Sequence, residues 1–198
     1  MESEALKPFA YSLTLAAVAS VWVRTYAAAR RGRKYSSGRR PLGRDDAFRA
    51  AGKVIFLTNN VAALASFWTD SAILLLLWRG DVLRAAGLLV LAAATLLHLL
   101  AMRHLGHSYS PCFDPHLPRQ LVTRGPYRYV RHPIYLANIL HGVGYSLASG
   151  SVWVLVLSGY GIFKIVKALT EEERYLSEHV AGYREYRSRT SRLIPLIY

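Results

Sequence analysis

Five apolar stretches run along the chain, each bounded by polar or charged residues. They cover residues 8–24, 54–78, 82–102, 133–149 and 151–167. Each approaches the ~20 residues that an α-helix needs to cross a bilayer. The pattern predicts an all-α, multi-pass membrane protein with about five transmembrane helices. Because only Gly150 separates the last two stretches, they are predicted to form a tight antiparallel hairpin.

The tail of the chain is polar and amphipathic after Lys167. Glu171, Glu172 and Glu173 stand together there. A stripe at helical spacing follows, made of Leu176, Val180, Tyr183 and Arg187. This pattern predicts an amphipathic helix on the cytoplasmic side of the membrane. The helix dipole favours acidic residues near a helix N-terminus, and this structural effect is one explanation of the three glutamates.

Charge is distributed unevenly between the apolar stretches. Hydrophobic residues make up 53% of the chain, and 25 Lys+Arg stand against 12 Asp+Glu. The loop after the first stretch contains Arg30, Arg31, Arg33, Lys34, Arg39, Arg40, Arg44 and Arg49. Short loops rich in Lys and Arg stay cytoplasmic, so this loop, segment 103–132 and the tail are predicted to face the cytoplasm. Arginines beside a membrane span favour anionic lipid headgroups over nucleic acid as partners.

Cysteine content and the leading residues set further limits. Cys112 is the only cysteine, which excludes a disulfide within the chain and a cysteine metal cluster. Glu2 and Glu4 precede the first apolar stretch, so a retained helix is favoured over a cleaved signal peptide. We predict a single domain over 1–198, with a three-helix part at 1–104 and a catalytic part at 105–198, and no metal.

A polar cassette at residues 124–135 leads into the fourth apolar stretch, with the sequence Arg-Gly-Pro-Tyr-Arg-Tyr-Val-Arg-His-Pro-Ile-Tyr. A residue before proline disfavours the helical conformation, so Gly125 and His132 are predicted to be extended. Pro133 suits the first turn of the following helix. Unpaired N–H groups at that helix start can receive a polar ligand group. The alternative is a basic flank whose side chains extend to the headgroups.

The cassette and the tail together resemble the isoprenylcysteine carboxyl methyltransferase family. The matching blocks are Leu-Val-Thr-Arg-Gly-Pro-Tyr-Arg at 121–128, Arg-His-Pro-Ile-Tyr at 131–135, the glutamates, Tyr183, Tyr186 and Ser-Arg-Leu-Ile-Pro at 191–195. The resemblance implies methyl transfer from S-adenosylmethionine to a membrane-resident acceptor. The most concrete acceptor is the carboxylate of a prenylcysteine-like or other lipophilic molecule. The sulfonium methyl is already activated, so the reaction needs no covalent nucleophile and no metal.

The resemblance also implies roles for individual residues. The cofactor-binding set is Tyr127, His132, Pro133, Tyr135, Leu136, Glu171 and Glu172. The catalytic set is Arg131, Glu172 and Arg192, of which Arg192 steers the acceptor carboxylate. The register of the family's glutamate pair stays open. Counting from Tyr183 gives 171–172, and counting from Leu176 gives 172–173.

Other functions stay open beside this one. Related membrane enzymes methylate phospholipid amines or small thiols, and for those acceptors His132 is a candidate base. Membrane sterol reductases share an Arg-x-x-Arg-His-Pro-like block and use NADPH, and a lipid-binding scaffold is the non-enzymatic alternative. His98 and His141 are expected to form interhelical hydrogen bonds. Gly144 suits close helix packing or the approach of a cofactor equally.

Overall fold

The computed structural model describes residues 80–109 and 120–195 continuously, together with scattered positions within 12–30 and 54–65. The continuous part forms four α-helices: α1 Asp81–Leu105, α2 Pro133–Ser149, α3 Val152–His179 and α4 Tyr183–Arg189. Short 3-10 helices lie at Gly106–Ser108 and Gly125–Arg128. The described residues form no named β-strand, in agreement with the predicted all-α class.

Part of the predicted topology lies outside the described residues. The described positions within 12–30 and 54–65 are helical, but most of the predicted spans 8–24 and 54–78 is outside the described part. The same holds for residues 31–53, which contain most of the basic first loop, and for Cys112. The five-span arrangement therefore stays a prediction.

Two of the described helical segments are long and apolar enough to cross a membrane. They are Asp81–Ser108 and Val152–His179. Apolar side chains project from their outer faces, among them Leu89, Leu96, Val156 and Phe163, which are exposed. The predicted span 82–102 lies within the first segment, and the predicted span 151–167 lies within the second apart from Ser151. Exposed apolar faces of this kind fit contact with lipid.

α2 is the helix between these two segments, and it is largely buried. It begins at Pro133 and ends at Ser149, the bounds that the sequence predicts. Its 17 residues span about 26 Å at ~1.5 Å per residue. Gly150 and Ser151 connect it to α3, and α2 packs against both α1 and α3. The predicted hairpin of α2 and α3 is confirmed.

Two glycines allow α1 and α2 to approach closely. A Cβ atom on Gly87 would lie 2.4 Å from the backbone N of Ala148. A Cβ atom on Gly144 would lie 2.8 Å from Cγ of Leu91. Small residues at such crossings bring helix backbones together. Gly144 therefore serves helix packing, one of the two roles that the sequence left open.

The tail differs from its prediction. α3 runs without interruption to His179, because no proline or glycine interrupts its second half. The backbone leaves the helix at Val180, with φ −111° and ψ 117°. The amphipathic stripe is divided between two helices, since Leu176 belongs to α3 and Tyr183 begins α4. A cytoplasmic amphipathic helix in the tail stays a prediction. The stripe still packs together, because Leu176, Tyr183 and Tyr186 form one buried cluster.

Candidate functional site

The cassette enters α2 through a sharp turn. Gly125 has φ +64°, so its predicted extended conformation is wrong. A Cβ atom there would lie 2.4 Å from the ring of His104, which leaves room for glycine only. His132 is non-helical, with φ −126° and ψ 59°, and is short of an extended conformation. Pro133 begins α2 as predicted.

The tail after α4 runs beside the cassette. Val130 and Ser191 form an isolated parallel β-bridge. The N–H of Arg131 donates to the carbonyl of Ser191 at 2.9 Å, and the N–H of His132 donates to the carbonyl of Arg192 at 3.2 Å. These backbone bonds bring the side chains of Arg131, His132 and Arg192 to one place.

A buried carboxylate lies at the centre of this place. Arg131 Nε donates to Glu173 Oε1 at 2.7 Å, and His132 Nε2 lies 3.3 Å from the same oxygen. Arg192 Nε forms an ion pair with Glu173 Oε2 at 3.3 Å. The Glu173 side chain is 5% exposed. Two guanidinium groups beside one carboxylate favour its ionised form. We name these four residues the Glu173 cluster.

Both arginines of the Glu173 cluster also hold other elements. Arg131 Nη1 donates to the carbonyl of Arg187 at 3.0 Å and to the carbonyl of Thr190. Arg192 Nη2 donates to Thr170 Oγ1 on α3 at 3.0 Å. The cluster therefore fixes the end of α4, the tail and α3 relative to the cassette.

A second polar contact joins α2 to α3 next to this cluster. The Tyr135 hydroxyl donates to Glu172 Oε2. The rings of Tyr135 and His132 meet edge to face, with centroids 5.6 Å apart. Tyr135 also packs in a buried apolar cluster with Ile165, Leu169 and Leu193, against which Leu136 is partly buried. One side of the polar site is therefore apolar and dry.

Two tyrosines of α4 face the cassette. The Tyr186 hydroxyl donates to the carbonyl of Tyr127 at 2.6 Å. The Tyr183 hydroxyl is buried and has no hydrogen-bond partner among the described residues. Burial raises the pKa of Tyr183, and the nearby Glu173 carboxylate raises it further. Burial also raises the pKa of Tyr186, to about 12, although Arg131 acts in the opposite direction. Both hydroxyl groups therefore stay protonated at neutral pH.

The predicted site residues fall into two groups. Those that the structure brings together by hydrogen bonds or ion pairs are Arg131, His132, Tyr135, Glu172 and Arg192. Pro133 and Leu136 lie beside them in the first turn of α2, whereas Glu171 is exposed and Tyr127 takes part through its backbone carbonyl.

Glu173 and Tyr183 are site residues outside the predicted catalytic and cofactor-binding sets. The register counted from Leu176 includes Glu173, and it is this register whose two glutamates contact the cassette and α2. The helical stripe indicates that Tyr183 shares a buried face with Leu176, but it does not indicate that the Tyr183 hydroxyl lacks a hydrogen-bond partner among the described residues.

An open pocket lies beside the Glu173 cluster, between α3, α4 and the tail. Its volume is about 470 Å³. It is lined by Thr170, Glu173, Arg174, Ser177, Glu178, Arg184, Arg187 and Arg192. Arginines outnumber glutamates on its wall, so the pocket is basic. Glu173 and Arg192 belong both to this wall and to the cluster.

The fold and the site define a helical membrane protein with a polar cluster at the end of its apolar helices. A family model described as phospholipid methyltransferase matches residues 82–181. The match covers just over half of the 198 residues, from α1 through the cassette and α2 to the end of α3. The chain belongs to the phospholipid methyltransferase family, which indicates a membrane methyltransferase. No curated protein matches the chain.

The matched residues include most of the site. Arg131, His132, Tyr135 and the glutamates lie within them, whereas Arg192 lies beyond their end. Family membership confirms the predicted relationship to membrane methyltransferases.

Proposed function

We propose that the chain is an S-adenosylmethionine-dependent integral membrane methyltransferase that O-methylates the carboxylate of a prenylcysteine-like or other lipophilic acceptor. The observation that carries this proposal is the convergence of the cassette and the tail on Glu173, at the end of an apolar helix. A polar cofactor and an apolar acceptor have to meet at such a boundary. Glu173, Arg131 and Arg192 supply the polar side of it.

The residues present fit this cofactor by their hydrogen-bonding chemistry. S-adenosylmethionine supplies an activated sulfonium methyl when bound. Glu172 offers a carboxylate for its cationic or hydroxyl groups, and the buried Tyr183 hydroxyl is a donor with no partner among the described residues. His132 would hold further polar groups, and Pro133 and Leu136 would supply an apolar wall. Polar groups beside an apolar wall match a ligand that is polar at both ends.

To methylate a carboxylate acceptor, the protein has only to orient it and to exclude water from the site. It is ionised at neutral pH and needs no base. Arg192 lies on the pocket wall, where its guanidinium is braced by Thr170 and Glu173. A guanidinium can hold a carboxylate through two parallel hydrogen bonds. The buried cluster that contains Tyr135 keeps water from the opposite side.

A phospholipid amine is the second candidate acceptor, and the family match favours it. An ammonium group must lose a proton before it can be methylated. His132 is the candidate base for this step, and its Nε2 lies 3.3 Å from Oε1 of Glu173. A small thiol acceptor would also have to lose a proton.

Methyl transfer to defined acceptors tests this proposal. The full chain in lipid nanodiscs is incubated with methyl-labelled S-adenosylmethionine and a prenylcysteine analogue, an aminophospholipid or a small thiol. A carboxyl methyl ester releases its label as methanol in base, whereas N-methyl and S-methyl products keep it. Base-labile label on the prenylcysteine analogue is expected. Stable label on the aminophospholipid would replace the first candidate by the second.

A binding measurement separates methyltransferases from reductases. Thermal unfolding in detergent is compared with S-adenosylhomocysteine and with NADPH. Stabilisation by S-adenosylhomocysteine alone is expected. Stabilisation by NADPH alone would indicate a reductase, and stabilisation by neither would favour a lipid-binding scaffold.

A further inference from the structure

We infer that the outer wall of the basic pocket is a binding site for a phosphate group, formed by Arg174, Arg184 and Arg187. These three residues lie outside the Glu173 cluster, and their guanidinium groups have no part in the proposed methyl transfer. Because Arg192, the residue proposed to orient the acceptor, lines the same pocket, this inference rests on the proposed function. Its ligand is either the phosphate of a lipid headgroup or a soluble phosphate.

The three arginines converge because two helices face one cavity. Arg174 lies one turn after Thr170 on the face of α3 that lines the pocket. Arg184 and Arg187 lie three residues apart on α4 and line the pocket from the other side. Arg184 Nε donates to the carbonyl of Ser177 at 3.1 Å, which holds its guanidinium against α3.

Positive charge is in excess on this wall, where four arginines and two glutamates line the pocket. The side chains of Arg174 and Arg187 form no hydrogen bond or ion pair with other residues in the described part of the chain. By contrast, Arg189 on the same helix is paired with Glu185 at 2.6 Å. Like charges around one cavity repel each other, and an anion between them removes that repulsion. The wall is thus electrostatically suited to an anion.

Phosphate is the oxyanion that suits this geometry best. Each guanidinium presents a planar fork of donors, and a phosphate has enough oxygen atoms to be shared among several forks. A carboxylate has only two oxygens. The pocket of about 470 Å³ is within the ~300–1,000 Å³ of small-molecule sites, so it also has room for a group attached to the phosphate.

The test uses inorganic phosphate as the probe and matched arginine variants. The full chain is placed in nanodiscs of uncharged phosphatidylcholine, and phosphate is titrated calorimetrically at constant ionic strength. Arg174→Gln and Arg187→Gln should each weaken binding by about 3- to 10-fold, the range for a partly exposed charge-assisted contact. Arg189→Gln removes the same charge outside the pocket and should leave the affinity unchanged.

Nanodiscs that also contain a phosphomonoester lipid distinguish the two sources of phosphate. Suppression of the phosphate titration by this lipid identifies a headgroup as the ligand, and an unchanged titration identifies soluble phosphate. The inference is overturned if the wild-type chain binds neither probe, or if Arg189→Gln weakens binding as much as Arg174→Gln does. It is also overturned if saturating S-adenosylhomocysteine abolishes phosphate binding, since the pocket would then belong to the cofactor.

Discussion

Glu173 and Arg131 are separated by 42 positions in the sequence, yet their side chains are joined by a hydrogen bond of 2.7 Å. Both side chains are buried, at 5% and 9% exposure. The pair connects the far end of α3 to the loop before α2. Together with the contacts of Tyr135 to Glu172 and of His132 to Glu173, it fixes the cassette relative to the glutamates.

Glu173→Gln should destabilise the protein and prevent cofactor binding. The substitution keeps the size of the side chain but leaves the guanidinium groups of Arg131 and Arg192, whose side chains are only 9% and 13% exposed, without their anion. Removal of one partner of a buried pair typically costs about 3–5 kcal/mol. Thermal unfolding and calorimetric titration with S-adenosylhomocysteine measure the two effects. Glu178→Gln, at an exposed position on the same helix, is the control, and an equal loss in both variants would contradict a special role for Glu173.

Tyr135→Phe and Glu172→Gln should weaken S-adenosylhomocysteine binding and should not act independently. The hydroxyl of Tyr135 donates to Glu172, so each substitution removes the same charge-assisted hydrogen bond, worth about 1.5–3 kcal/mol. The double variant should therefore bind almost as well as the weaker single variant. Tyr129→Phe, at an exposed position, should change nothing. Additive losses would mean that the two residues act separately.

His132→Ala should also reduce cofactor affinity while the protein stays folded in detergent. Its ring contacts both Tyr135 and Glu173, so it connects the two polar contacts of the site. Calorimetric titration with S-adenosylhomocysteine checks this, with circular dichroism as the measure of folding. Wild-type affinity in the variant would remove His132 from the cofactor site.

Arg192→Ala should impair use of a carboxylate acceptor by roughly one to two powers of ten, because a charge-assisted contact is worth ~1.5–3 kcal/mol. Arg192→Lys keeps the charge but loses the fork, so it should recover only part of the activity. Cofactor affinity should be largely preserved in both. If Arg192 only anchors the tail, its substitution should lower both cofactor affinity and the protease resistance of the tail. Unchanged acceptor kinetics in the Arg192→Ala variant would show that Arg192 does not orient the acceptor.

Gly144→Ala should lower the melting temperature, because the added methyl group meets Leu91 at 2.8 Å and separates α1 from α2. Gly159→Ala is the matched control on α3. Nothing lies within 4 Å of a Cβ atom at Gly159, so this change should be neutral or stabilising. Equal melting temperatures for the two variants would show that the crossing of α1 and α2 is not tight.

The sequence predicts α2 well and α3 poorly, for local reasons. Pro133 and Gly150 mark the two ends of α2, so its bounds follow from backbone chemistry. The apolar pattern of α3 stops at residue 167, but hydropathy does not end a helix. Without a proline or glycine, the backbone continues to His179, where Val180 becomes extended.

The sequence shows which residue types form the site, but it shows less well which of these residues contact one another. The cassette and the glutamates are visible as motifs, but three adjacent glutamates look alike in sequence. The rotation of α3 decides which of them is buried, and that rotation is set by packing of Leu169 and Leu176 against other elements. The turn at Gly125 likewise depends on the ring of His104, a residue in another element.

The bridge between Val130 and Ser191 has a consequence for how the protein is made. The ribosome synthesises α1, α2 and α3 before it reaches Ser191, so the bridge forms only after these three helices have been made. A chain released before residue 191 would lack Arg192, and the backbone N–H groups of Arg131 and His132 would lose the carbonyl groups to which they donate. The Glu173 cluster is therefore complete only some time after the helix that carries its carboxylate.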